Sequence, residues 1–121
     1  MLFPTNRFLL ISVNVMAFDV VWHPSASVDL EEVMGYVCQN FGRAALKELY
    51  DKIMERMEVL SSFPSHGVRY AGVSYQGNEV RIIYIRQNAI VYSFDGKQIT
   101  VLVFWDNRRN PVCLEKLIVS R

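Results

Sequence analysis

The sequence predicts an α+β domain of order β-α-α-β-β-β, an antiparallel sheet with a helical hairpin packed on one face. Three observations carry that prediction. Apolar residues alternate along three successive runs between Glu79 and Trp105, the period of strands. The pairs Gln87-Asn88 and Asp95-Gly96 separate those runs and suit the positive φ of tight hairpin turns. Upstream, apolar residues recur every three or four positions from Leu30 to Leu60, the period of helices.

Phe18 to Trp22 forms the first strand, and His23-Pro24 stops its extended pairing. Ser25 or Ser27 caps the helix that follows, with Asp29, Glu31 and Glu32 suiting the dipole of its first turns. Leu30, Val33, Met34, Val37 and Phe41 make its apolar face, which closes at Asn40 to Gly42. A second helix begins near Arg43 and presents Leu46, Leu49, Ile53, Met57 and Leu60, with Glu48 and Lys52 as an i,i+4 pair on the wet side. Phe63-Pro64 ends it. The first strand of the meander sets Val80, Ile82 and Tyr84 opposite Arg81, Ile83 and Ile85. The second sets Ala89, Val91 and Ser93 opposite Ile90, Tyr92 and Phe94. The third sets Ile99, Val101, Val103 and Trp105 opposite Thr100, Leu102 and Phe104. The two helical stripes then cover one face of this sheet.

With 121 residues, 51% of them hydrophobic, the chain buries one core and is too short for two ordinary domains. The formal charge of +1 conceals a division. Ser27 to Ser62 carries seven acids against four bases, whereas Glu79 to Arg121 carries seven bases against four acids. The basic end is the natural contact for a polyanion, but an excess of that size is also ordinary for a solvated surface and names no partner. Cys38 and Cys113 cannot build a disulfide framework and have no metal-ligand spacing with His23 or His66. No metal or other cofactor is expected, and a reducing cytoplasm is the expected location. Repeats and low-complexity tracts are absent, and no apolar run is long enough to cross a bilayer, which excludes fibrous, disordered and membrane-spanning classes.

Residues 1–15 read as an extension, and 16–121 as the single domain. The segment carries one base and a short apolar run that Asn14 interrupts, a weak match to a secretory signal. Translation starting at Met16 is the simpler expectation; a long form would add an extra strand.

The opening FDVVWHPSAS, the connection from Leu60 to Gly67, the run EVRIIYI at Glu79 to Ile85 and VLVFWDNRRNP at Val101 to Pro111 together resemble the RelE/ParE superfamily. These are toxins of bacterial type II toxin–antitoxin modules. The resemblance covers Phe18 to about Pro111 and rests on the order and spacing of the pieces. It implies a cytoplasmic toxin, of the kind that stabilises plasmids, held inactive by a cognate antitoxin. RelE-like members cleave mRNA on the ribosome; ParE-like members poison DNA gyrase.

RNA cleavage needs the 2′-hydroxyl activated, the phosphate charge offset and the leaving oxygen protonated. Arg81 matches the arginine of the family's strand motif, and Arg108 or Arg109 its terminal basic motif; these are the catalytic or target-binding candidates, able to clamp phosphate. Arg86, Tyr92, Lys97 and His66 are accessory candidates. Phe104 and Trp105 are candidates for the antitoxin interface, since interface centres favour aromatics. Where many RNase members carry a histidine and a tyrosine around the terminal arginine, this chain has Trp105-Asp106 and Pro111-Val112, which favours a gyrase-binding toxin. A ribosome-dependent RNase and a non-toxic relative that only binds antitoxin remain as alternatives. Structural roles compete with each assignment: Arg81 paired with Glu55 or Glu58, Arg108 and Arg109 guarding a sheet edge, His66 an ordinary loop residue.

Overall fold

The computed structural model describes residues 7–8 and 17–121. It contains β1 (Arg7–Phe8), β2 (Asp19–Trp22), α1 (Pro24–Ser62), β3 (Val68–Tyr75), β4 (Asn78–Ile85), β5 (Asn88–Phe94), β6 (Gln98–Asp106) and α2 (Pro111–Ser120). The internal start proposed at Met16 lies outside the described residues. Within the extension, Arg7 and Phe8 pair antiparallel with Val21 and Val20.

The helical hairpin is a single run of helix broken at Gly42, whose φ of 88° and ψ of 178° are non-helical. A straight helix of 39 residues would span about 58 Å. Yet the Phe18 amide donates to the Ser61 carbonyl at 2.9 Å, and the Ser61 hydroxyl donates to the Phe18 carbonyl at 2.6 Å. The six steps of chain from Phe18 to Pro24 reach about 20 Å at most, so the chain must double back, and Gly42 is where it does. The cap differs from the expected serines. Pro24 opens the helix, and His23 caps it by accepting the Ser25 amide on Nδ1 at 3.1 Å. Glu48 turns to Arg86 rather than Lys52, and the i,i+4 pair on this arm is Lys47–Asp51 at 2.7 Å.

The strands lie in the order β1-β2-β6-β5-β4-β3. The sequence predicts an antiparallel sheet, and one seam departs from it: β2 runs parallel to β6, Asp19 to Trp22 beside Gln98 to Val101. The whole helical hairpin and three strands lie between the two in the chain, supplying the long crossover that parallel pairing requires. Two elements were not predicted. β3 adds an edge strand to the meander through a turn with positive φ at both Gln76 and Gly77, the pattern of a type I′ hairpin. α2 begins where the Asn110 side chain accepts the Val112 amide at 3.0 Å, with Pro111 at its first turn.

Both expected turns shift. The β4–β5 turn is Arg86-Gln87, with φ of 54° at Arg86, and Asn88 already pairs with Ile85. In the β5–β6 turn, positive φ falls on Gly96 and not on Lys97, so it is not type I′. Asp95 closes that turn by accepting the Lys97 and Gln98 amides, each at 2.8 Å.

β6 is bulged. Tyr92 pairs with Val101 and Val91 with Val103, leaving Leu102 extra. The bulge shifts the side-chain alternation by one, so the predicted faces of β6 hold only up to Leu102. Ile99, Val101 and Phe104 join the core between sheet and hairpin, while Leu102, Val103 and Trp105 join a second core beneath α2. The sheet is therefore covered on both faces, not on one. Leu30, Met34, Ile53, Met57 and Leu60 fill the hairpin side, and Leu114 and Ile118 the other.

Beyond Val101, no strand among the described residues pairs with β6 on its β2 side. Two side chains lie there instead. Asp29 accepts the Phe104 amide at 3.3 Å, and Arg121 donates to the Leu102 carbonyl at 2.7 Å. The two are joined to each other at 2.6 and 3.2 Å.

Candidate functional site

β4 and the turn after β6 place the two motif arginines on opposite faces of the sheet. Arg81 shares its face with Ile83 and Ile85, which belong to the hairpin core, whereas Arg109 stacks on Trp105, which belongs to the α2 core. They do not meet as a phosphate clamp.

Arg81 is engaged within the fold. One guanidinium nitrogen donates to the carbonyls of Ser65 and Gly67 at 3.2 and 2.8 Å, and another to Glu79 at 3.2 Å. Its acid partner is thus Glu79, not Glu55 or Glu58. Tyr92 fastens the same loop from beneath: fully buried, its hydroxyl donates to the Pro64 carbonyl at 2.7 Å and accepts the Gly67 amide at 2.8 Å. Burial pushes its phenol pKa up, partly offset by the Gly67 amide and Arg81. His66 is exposed in that loop, its amide bonded to the Phe63 carbonyl at 2.9 Å.

Arg86, Arg108 and Arg109 gather at one end of the molecule, where the Asn107 amide donates to the Gln87 carbonyl at 2.8 Å and ties the end of β6 to the β4–β5 turn. Lys97 is at the other end of β6, about 30 Å away by strand length. Arg108 grips Asp106 with two nitrogens at 3.0 and 2.8 Å. That pairing holds the Asp106 carboxyl below the usual carboxylate range and raises Arg108, so each largely cancels the other's charge. Arg109 makes no ion pair among the described residues; its guanidinium lies 4.5 Å over the Trp105 ring, a cation–π contact. Phe104 and Trp105 are each only 3% exposed, so the isolated chain offers neither as open apolar surface.

Two grooves flank this basic end. On the α2 face, a groove of about 260 Å³ runs past Arg69, Tyr70, Tyr84, Trp105 and Arg109. Burial, then Glu115, push the Tyr70 phenol up, away from the range useful to a general base. On the hairpin face, a groove of about 440 Å³ lies between the hairpin tip and the β4–β5 turn. Phe41, assigned from its periodicity to the helix core, stands 66% exposed there. Arg69, Tyr70 and Glu115 escaped the sequence reading because they lie on the unpredicted β3 and α2; the alternation Val68, Tyr70 before Gln76-Gly77 was the available signal. Among the described residues no cluster of metal-ligating side chains forms, and no helix is long and apolar enough to cross a membrane.

A broken helical hairpin on a sheet whose last strand is followed by paired arginines is the architecture of the RelE/ParE-like toxins. Residues 20–111 match the ParE toxin of type II toxin–antitoxin systems, parDE. The chain belongs to that family, and membership brings with it an antitoxin as partner. No curated protein matches the chain.

Proposed function

We propose that this toxin arrests growth by binding a protein target, DNA gyrase, and that a cognate antitoxin neutralises it in the cytoplasm. The separation of Arg81 from Arg109 carries the reading. A ribosome-dependent nuclease needs its phosphate clamp and its proton donor and acceptor around one scissile bond. Here the guanidinium of Arg81 holds a loop on one face, Arg108 is occupied by Asp106, and Arg109 faces the other side beside a phenol poorly suited to act as a base. Binding needs none of these groups to converge.

Purified toxin added to gyrase without ribosomes tests the reading directly. Inhibition of supercoiling, reversed by antitoxin, is the expected result. Intact supercoiling at saturating toxin, together with new mRNA 5′ ends inside codons minutes after induction in cells, would replace it with the nuclease reading. Harmless overexpression in a host without antitoxin would leave only a non-toxic relative.

A further inference from the structure

We propose that the groove between the hairpin tip and the β4–β5 turn is where the toxin grips its target protein. Its occupant is an amphipathic segment that carries carboxylates. This inference rests on the binding mode proposed above and adds to it a surface and a chemistry.

The groove has an apolar floor, made by Val37, Phe41, Ala45, Leu49 and Ile85. Its volume of about 440 Å³ lies within the range of clefts that bury small ligands. Phe41 is 66% exposed and packs edge-on against Tyr36, itself 53% exposed, with centroids 6.1 Å apart. An isolated chain gains nothing by keeping two aromatic rings in water, whereas aromatic anchors in a pocket supply much of the energy of protein interfaces.

The rim selects the partner. Glu48 and Arg86 line the groove and pair with each other. Lys52 also lines it and makes no ion pair among the described residues. Two cations against one carboxylate, with Arg86 and Glu48 paired, leave the charge of Lys52 uncompensated on the rim, and that calls for acids on the incoming segment. Arg86, a non-glycine residue at φ 54°, holds the turn that forms one wall.

Two measurements test the inference. In the first, purified toxin is titrated with a labelled synthetic helical peptide carrying leucines at i, i+3 and i+4 flanked by glutamates, and with its lysine counterpart. The acidic peptide should bind, more weakly as salt rises, and the basic one should not. Phe41→Ser and Lys52→Glu should each weaken binding about tenfold or more, with Lys52→Arg unchanged. Failure of the acidic peptide to bind, or equal binding of both peptides, overturns the chemistry.

In the second, the same variants of the full chain are induced in cells lacking antitoxin, with Val119→Ser as a control on α2. Phe41→Ser and Lys52→Glu should raise survival about tenfold or more while still melting as folded proteins and copurifying with antitoxin. Full toxicity would overturn the assignment. Loss of antitoxin copurification would make the antitoxin the occupant, and loss of self-association in sedimentation would make it a second copy. If the wild type arrests growth without inhibiting supercoiling, gyrase falls as the target while the groove is still judged by its variants.

Discussion

Tyr92 and Arg81 commit their polar atoms to one loop, Pro64 to Gly67, and Gly67 leaves no room for anything larger. A Cβ there would meet the Tyr92 hydroxyl at 2.7 Å. Tyr92→Phe should cost about 1–3 kcal/mol, because the Gly67 amide and Pro64 carbonyl lose their partner in a buried place; urea denaturation measures it. Arg81→Ala should destabilise by a similar amount yet leave toxicity per folded molecule unchanged, an outcome opposite to that for a catalytic arginine. The candidacy of Arg81 was legible from its motif. Its actual partners were not, because backbone carbonyls brought near by a loop leave no mark on the sequence. His23 makes a second residue-scale prediction. Desolvation, then Arg121, hold its pKa below the ordinary 6.5, and its Nδ1 must be unprotonated to accept the Ser25 amide. The unfolded chain takes up the proton more readily, so stability should decline as pH falls below about 6.5 and level off below the folded-state value. A melting-temperature series should show this slope, and His23→Asn, which caps without titrating, should remove it.

At the scale of elements, Gly42 decides whether α1 is a hairpin or a rod. Its φ of 88° and ψ of 178° belong to a region essentially reserved for glycine, and a Cβ there would meet no atom of the described residues within 4 Å. Gly42→Ala should therefore cost about 1–3 kcal/mol through the backbone alone, read as a lower denaturation midpoint. The helical hairpin was legible because two apolar stripes meet at a glycine. β3 was not: Tyr70 to Val73 lie within a register shift opposite β4, so Tyr70, Val73 and Tyr75 reach the α2 core with a spacing that is not a strand's. The face of β6 was misread for a related reason. In a run as uniformly apolar as VLVFW, one bulged residue reverses the alternation without changing the appearance of the sequence. The basic end could be found from Arg108 and Arg109, but Phe41 and Lys52 read as one core residue and one solvated residue, since helix periodicity does not reveal where the sheet beneath a helix stops.

For the molecule as a whole, the ion pair between Asp29 and Arg121 joins elements from opposite faces of the sheet. Their side chains are 20% and 9% exposed, so Arg121→Ala leaves a largely buried carboxylate without its partner. It should cost about 3 kcal/mol and speed hydrogen exchange at the Phe104 amide. The same pair has a meaning outside the single molecule. In place of a neighbouring strand, a carboxylate and a guanidinium stand against the backbone, and they cannot propagate as a strand does. A chain trimmed of Arg121 would offer the Leu102 carbonyl as a foothold on which another polypeptide could add and be copied in turn. An apparent molar mass from light scattering that rises with protein concentration in the trimmed chain, and stays constant in the intact one, would mark Arg121 as this toxin's guard against polymerisation.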